Sequence, residues 1–196
     1  MVSKVENSPR DRIIETALRL FYEQGYIATG INQIIAESQV AKATFYHHFS
    51  SKENLCVSYL QVRHVVWMGW LRSSVEKHAS IEDRIKGVFG FLSEWMTKCN
   101  FRGCAFLNIA SEVPSLNSKI RAEVVKHKDD LRLYLKQMLS QLKASDKRYN
   151  NINIKKDVDM VYVLVEGAIV ASQNYGQVWP AKAARDAACI LLNIDI

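Results

Sequence analysis

The side chains best placed for chemistry lie in residues 41–49, which read AKATFYHHF. In a helix, four of them share one face: Lys42, Ala43, Tyr46 and His47. An ammonium, a phenol and an imidazole can donate hydrogen bonds to phosphates and base edges, and a small alanine beside them permits close approach to a groove. This face therefore predicts contact with a nucleic acid duplex.

The other side of the same segment predicts how this helix is held. Ala41, Phe45 and Phe49 repeat at every fourth position and are expected to face inward. Before it, isoleucines at positions 31, 34 and 35 indicate a helix too short to be stable unless it packs on its neighbours. A turn near residues 38–40 separates the two helices.

Helix starts and stops frame this pair. Ser8, Pro9 and Asp11 form a helix start, and Gly25 supplies the positive φ that ends the helix. Residues 50–53 repeat the start pattern and place Lys52 beside a helix N-terminus, where backbone N–H groups favour an anion such as phosphate. The sequence thus predicts three helices followed by a fourth, which runs from about residue 52 to residue 77.

Residues 12–55 resemble the N-terminal domain of the TetR family of bacterial transcriptional regulators. The resemblance is carried by Gly25, Tyr26, Thr29, Val40, Lys42, Thr44, Phe45, Tyr46, His47, His48, Phe49, Lys52 and Leu55. It implies that the third helix reads the major groove of double-stranded operator DNA. The DNA-binding residues expected from the face and the resemblance together are Thr29, Lys42, Ala43, Thr44, Tyr46, His47 and Lys52.

Three positions depart from the family pattern. Gly30 stands where a second hydroxyl residue is usual, and Ile35 replaces a small residue. Gln39 replaces the usual turn glycine, so a residue with a side chain must adopt a left-handed conformation at modest cost. We expect the turn to form with a slightly altered shape, and these changes bear on base preference.

The composition favours an all-α fold. The chain has 196 residues but only three prolines and eight glycines, and little outside residues 161–165 reads as a strand. The predicted organisation is a three-helix helix-turn-helix head in residues 1–52, joined by the long fourth helix to a ligand-binding and dimerisation body in residues 53–196. Residues 143–157 are polar with no apolar stripe and predict a loop.

Net charge adds little to the DNA interpretation. The chain carries a formal charge of +6, but its first 56 residues hold as many acids as bases. The positive surplus lies largely in residues 119–148, where a solvated helix face is the simpler explanation. The prediction of DNA binding therefore depends on the placement of donors rather than on overall basicity.

Several function classes are disfavoured. The four cysteines lack metal-site spacing, although Cys99 and Cys104 leave a redox role open beside ordinary burial. No signal peptide or apolar run of about eighteen residues appears, so we expect a cytoplasmic protein without a membrane segment. The histidines are scattered and no catalytic motif is present. We therefore expect that the protein is not an enzyme and binds no cofactor.

The body is expected to hold a small molecule. Aromatic residues of helices 4 and 5 could surround the short segment 103–112, which mixes apolar and polar side chains, as ligand sites do. The expected ligand-binding residues are Trp67, Trp70, Phe91, Trp95, Phe106, Asn108, Glu112 and Glu166. The alternative is that the aromatics simply fill the core, and the resemblance favours a cavity without identifying its lining.

The last two helices predict a partner surface. Residues 157–175 are apolar nearly all round, so this helix needs neighbours on every side. The expected dimer interface is Val161, Val165, Ala168, Ala184, Ala188 and Leu191, and the alternative is that both helices are buried within one chain. The leading hypothesis is a homodimeric repressor released from its operator by an unknown ligand. The alternative is a helical protein-interaction module without specific DNA binding.

Overall fold

The computed structural model describes residues 8–196, and every regular element in that range is helical. In chain order the helices are α1 Pro9–Glu23, α2 Ile31–Glu37, α3 Lys42–His48, α4 Lys52–Val75, α5 Ile81–Lys98, α6 Ala105–Glu112, α7 Lys119–Ser145, α8 Ile154–Tyr175 and α9 Trp179–Leu192, with a 3₁₀ turn at Lys147–Tyr149. The predicted all-α fold is confirmed.

The helix ends follow the capping signals in the sequence. The Ser8 hydroxyl accepts a hydrogen bond from the Asp11 N–H at 3.2 Å, and the Ser80 hydroxyl accepts one from the Asp83 N–H at 3.0 Å. Each bond satisfies a backbone donor that has no partner within its helix. The C-terminal end of α8 also follows its signal. The helix ends at Tyr175, and the next residue, Gly176, adopts the left-handed conformation with a φ of 62°.

The chain divides into two compact units. Of the described residues, the first unit, called the head unit, holds 8–65 together with Ala105–Val125. The second, called the body unit, holds Val66–Cys104 and Lys126–Ile196. The division predicted at residue 52 falls inside the head unit, because the first part of α4, all of α6 and the start of α7 belong to it.

In the head unit, α1 packs against both α2 and α3. Leu20, Ile34 and Phe45 are fully buried, so each of the three helices contributes a side chain to one core. Ala41 was expected to face inward, but it is exposed and forms the N-cap of α3 in an extended conformation. The inward face of α3 is therefore supplied by Phe45 and Phe49.

In the body unit, α8 packs most extensively against α9, and α5 contacts both. The prediction of a polar loop over residues 143–157 is wrong at both ends, since α7 extends to Ser145 and α8 begins at Ile154. Between them Tyr149 is buried and donates to Glu82 at 3.0 Å. Lys143 donates to the Ile152 carbonyl at 2.7 Å, so this connection is packed.

Candidate nucleic-acid interface and body sites

The outward face of α3 is formed as the sequence predicts. Lys42, Ala43, Tyr46 and His47 are exposed, and Tyr46 retains 43% of its accessible surface. Thr44 is half-buried. The phenylalanines of the opposite face are buried, so an ammonium, a methyl, a phenol and an imidazole lie together on the outward face of α3.

The turn before α3 is held by hydrogen bonds. Gln39 adopts a φ of 54°, the left-handed conformation expected of it. The Ser38 hydroxyl donates to the Ile34 carbonyl at 2.6 Å, and Arg12 of α1 donates to the Ser38 carbonyl at 3.2 Å. A non-glycine turn residue is therefore accommodated, and α1 fixes the position of the turn.

Thr29 is not available for DNA. It is completely buried, and its hydroxyl donates to the Gly25 carbonyl at 2.7 Å. The expectation of a phosphate contact is corrected, because a hydroxyl in this position stabilises the loop between α1 and α2.

Lys52 has a similar structural role. Its ammonium donates to the carbonyls of Tyr26 at 3.0 Å and Thr29 at 3.1 Å, and it lies 4.5 Å from the centre of the Tyr26 ring. These contacts use the donors that we expected to reach phosphate. Lys52 therefore ties α4 to the α1–α2 loop, and a phosphate contact by this residue stays a prediction.

Glu112, expected in the ligand site, contacts the same loop. Its Oε2 accepts a hydrogen bond from the Ile27 N–H at 2.6 Å, and a Cβ added at Gly25 would lie 3.0 Å from its Oε1. Burial raises the pKa of the neighbouring Tyr26 to about 12, with smaller contributions from Cys56, Glu53 and Glu112. The end of α6 is thus fixed to the α1–α2 loop within the head unit.

Three of the expected ligand residues meet in the body unit. The Trp67 ring centre lies 5.4 Å from Phe91 and 5.6 Å from Trp95, and Phe91 stacks on Trp95 at 6.2 Å. His127 of α7 completes this aromatic cluster, with its ring centre 5.3 Å from Trp67. The sequence reasoning missed His127, although it continues the apolar stripe of α7 between Val124 and Leu131.

Three other expected ligand residues each lie within their own unit. Trp70 points outward and is 50% exposed, so it does not belong to the aromatic cluster. Phe106 and Asn108 lie on α6 in the head unit, where Phe106 is buried. The set inferred from the sequence is therefore divided between the head unit and the body unit.

Glu166 forms a largely buried ion pair. Its carboxylate lies 2.8 Å from the Lys128 ammonium, which also approaches the Cys104 sulfur at 3.7 Å. Burial opposes the charge on Lys128, but Cys104 and Glu166 outweigh it and raise the Lys128 pKa. The pair holds α7 to α8, and its charges are already compensated.

The expected dimer residues are mostly internal. Five are buried among the chain's own helices, so they offer no surface to a second copy: Val161, Val165, Ala168, Ala184 and Ala188. The sixth, Leu191, lines an apolar groove of about 450 Å³ between α8 and α9. The exposed apolar residues there are different ones, including Val163 at 65% and Ile190 at 74%.

Membrane-spanning helices and metal-binding clusters are both absent from residues 8–196. No helix within residues 8–196 combines the length and apolarity needed to cross a bilayer. Over the same range, no group of three or more histidine, cysteine or acidic side chains is arranged to hold a metal ion.

Comparison with known proteins identifies the class. The family model for bacterial regulatory proteins of the tetR family matches residues 13–58, and the model for the tetracyclin repressor-like C-terminal domain matches residues 82–188. The chain belongs to the TetR family and is a helix-turn-helix, DNA-binding transcriptional regulator. This result favours the regulator hypothesis over a protein-interaction module, and members of this class are not enzymes.

Individual relatives align with this chain over nearly its full length. The negative transcriptional regulator IcaR of the biofilm operon icaADBC in Staphylococcus aureus is 27% identical over 94% of this chain and 97% of its own. A helix-turn-helix regulator from the lacX 3' region of Lactococcus lactis is 21% identical over 95% of this chain and 90% of its own. The solved structure of the TetR-family regulator SCO4454 from Streptomyces coelicolor superposes with a TM-score of 0.82, at 25% identity, covering 94% of each chain.

Proposed function

We propose that this protein is a homodimeric transcriptional repressor that acts in the bacterial cytoplasm and leaves its operator when a small molecule binds the body unit. The observation that carries the proposal is the exposed face of α3, fixed by two buried phenylalanines. The name of the relative IcaR as a negative regulator supports repression rather than activation.

The DNA contacts are assigned to α3. Lys42 supplies a charge for phosphate, and Tyr46 and His47 supply groups that can contact phosphate or base edges. Ala43 permits close approach, and the half-buried Thr44 can present its hydroxyl at the margin of the face. Thr29 and Lys52 act indirectly, by holding the loop that precedes α2.

The dimer surface is assigned to the exposed face of α8 and α9. Met160, Val163 and Ile190 are large apolar residues open to solvent, and the groove beside them is lined mainly by apolar side chains. Covering such a patch with the same patch of a second copy removes it from water and produces a two-fold dimer. The proposed interface therefore keeps the two predicted helices but uses a different face.

The ligand is assigned to the aromatic cluster. The Trp67 indole N–H is buried and has no hydrogen-bond acceptor among residues 8–196. Leaving such a donor unsatisfied costs on the order of 1–3 kcal/mol, so a ligand that supplies an acceptor atom gains affinity there. The surrounding rings of Phe91, Trp95 and His127 favour a flat apolar body on that ligand.

Release of DNA is assigned to α6. This helix follows α5, which carries Phe91 and Trp95, and its last residue, Glu112, is bonded to the α1–α2 loop. A ligand that binds better when α6 is displaced weakens the hydrogen bond between Glu112 and the α1–α2 loop. The position of α2 and α3 then changes, because this loop leads into α2. Coupling of this kind is typically about 1–3 kcal/mol.

A gel-shift experiment with DNA from upstream of the protein's own gene tests the proposal. Lys42→Ala and Tyr46→Ala should each weaken binding by about tenfold or more, since such contacts contribute about 1–3 kcal/mol. Lys136→Ala removes an exposed lysine of α7 in the body unit and is the matched control. Equal affinity of all three variants and the unaltered protein would refute the assignment of α3.

A further inference from the structure

A pocket on the body unit has no part in the function proposed above. It has a volume of about 550 Å³ and is lined by residues at and just after the end of α4, along α5 and near the start of α9. Cavities of roughly 300–1,000 Å³ are the usual size of small-molecule sites. The pocket is therefore large enough for an organic molecule.

Two glycines of α5 keep part of this pocket open. Gly87 and Gly90 lie three residues apart on one helix face and both line the pocket. Inside a helix, glycine is less favourable than almost every other residue and well below alanine. A Cβ at Gly90 would meet no atom within 4 Å, so packing within the chain does not require a glycine there. A ligand that approaches the backbone of α5 would explain it.

Gly87 has a different environment. A Cβ at this position would lie 2.9 Å from Cδ2 of His78, so the missing side chain lets the imidazole rest against α5. His78 itself lines the pocket. Gly87 therefore lets the His78 ring pack in the pocket wall, and Gly90 leaves open space beside it.

The lining carries an excess of positive charge. With His78 counted as neutral, the cations are Lys77, Lys86, Lys182 and Arg185, against the acids Asp83 and Glu94. Lys86 pairs with Asp83 at 3.2 Å, and Arg185 pairs with Asp186 at 2.7 Å. Lys77 and Lys182 are exposed, and neither has a carboxylate within ion-pair distance in residues 8–196. Two ammonium groups are thus left to attract an anion, against one carboxylate, that of Glu94, without an ion-pair partner in residues 8–196.

The pocket also has an apolar wall. Phe89 and Phe91 are buried in the body unit but contribute to the lining. Phe91 stacks on Trp95 with the two ring planes 3° from parallel. A molecule lying against Phe91 would therefore change the surroundings of a tryptophan, which gives an optical signal for binding.

We propose that this pocket binds a small organic carboxylate, with the carboxylate attracted by Lys77 and Lys182 and an apolar body lying over Gly90 against Phe91. The site is distinct from the aromatic cluster assigned to the releasing ligand, although Phe91 contributes to both. The proposal does not depend on DNA binding, so failure of either can be recognised separately.

The test compares 1-naphthoate with neutral 1-naphthamide, which has nearly the same shape, by isothermal titration calorimetry and tryptophan fluorescence on the full chain. We expect 1-naphthoate to bind with at least tenfold higher affinity than the amide. Lys182→Gln should weaken naphthoate binding several-fold, and Lys136→Gln, on α7 outside the pocket, should not change it.

Gly90→Leu decides whether binding occurs in this pocket. Leucine is a better helix former than glycine, and its Cβ meets open space, so the variant should fold while its side chain fills the pocket. Circular dichroism checks the fold, and naphthoate binding should be lost. No binding to the unaltered protein, equal binding of the amide, or unchanged binding by a folded Gly90→Leu variant would each overturn the proposal.

Discussion

Two lysines of the head unit show how position decides the role of one residue type. Lys42 is exposed on α3, whereas Lys52 donates to three carbonyls of the α1–α2 loop. The first is free to meet phosphate, and the second stabilises the fold. Substitution of Lys42 should therefore weaken DNA binding, whereas substitution of Lys52 should lower the stability of the fold.

Lys52→Ala is expected to lower the free energy of unfolding by about 1.5 kcal/mol, the lower end of the range for hydrogen bonds to a charged group, because Lys52 is only partly buried. Lys42→Ala should leave stability unchanged while weakening DNA binding. Urea unfolding followed by circular dichroism measures the first effect. An unchanged midpoint for Lys52→Ala would contradict its structural role.

The Glu112 contact predicts a local change in protection. Glu112→Ala removes the acceptor of the Ile27 N–H, so hydrogen exchange at the Ile27 amide should become about tenfold faster or more, as expected for loss of a charged acceptor. Glu123→Ala is the control, because Glu123 bonds the Gln61 side chain instead. Equal exchange rates at Ile27 in the two variants would remove the basis for the release route through α6.

For single residues, the sequence predicts which side of α3 is exposed, but for three other residues it does not predict the contacts within the chain. Helical period alone separates Tyr46 and His47 from Phe45 and Phe49. Thr29, Lys52 and Glu112 bond backbone groups, and Glu112 lies 85 positions from Ile27. Backbone partners leave no trace in residue types, so polarity suggested external ligands where the contacts are internal.

For the helices, the positions of their ends are easier to predict from the sequence than the faces that they expose. Ser8, Ser80 and Gly176 mark helix ends because caps are local interactions. The outward side of α8 is not local information, because a helix apolar nearly all round has no polar face to mark it. For this reason the sequence analysis placed Val161 and Val165 in the dimer interface, although both are buried within one chain.

The face of α8 proposed for the dimer predicts the effect of a single charge. Val163→Asp should convert the dimer to a monomer, because it places a carboxylate in an apolar interface, yet it should leave the fold intact since Val163 is exposed in one chain. Sedimentation velocity measures the change. Val125→Asp, at an exposed position on α7, is the control, and a Val163→Asp variant that remains dimeric would show that the interface lies elsewhere.

The connection between α7 and α8 was missed for a related reason. Polar residues there suggested a loop, but Arg148 and Tyr149 both bond Glu82 of α5. These two interactions together lower the Glu82 pKa, after the larger effect of its own backbone N–H. Polar composition predicts exposure only when the polar groups lack partners, and here α5 supplies one.

At the level of the whole molecule, a two-fold dimer carries two copies of α3. Such a pair reads two half-sites on one face of DNA, with centres about 34–36 Å or a multiple of that distance apart. Inserting five base pairs between the half-sites of the operator should turn one half-site to the opposite face and reduce affinity by at least tenfold. Inserting ten should cost less, and gel shifts with the three operators distinguish these outcomes.

The central claim is that the exposed face of α3 binds a DNA duplex, and the salt dependence of that binding tests it most directly. Fluorescence anisotropy with labelled operator DNA should show affinity falling steeply as salt rises, because each phosphate contact releases counterions. Lys42→Ala should reduce the slope of log affinity against log salt by about 1 per subunit. A flat salt response, or the same slope in the variant and the unaltered protein, would contradict the claim.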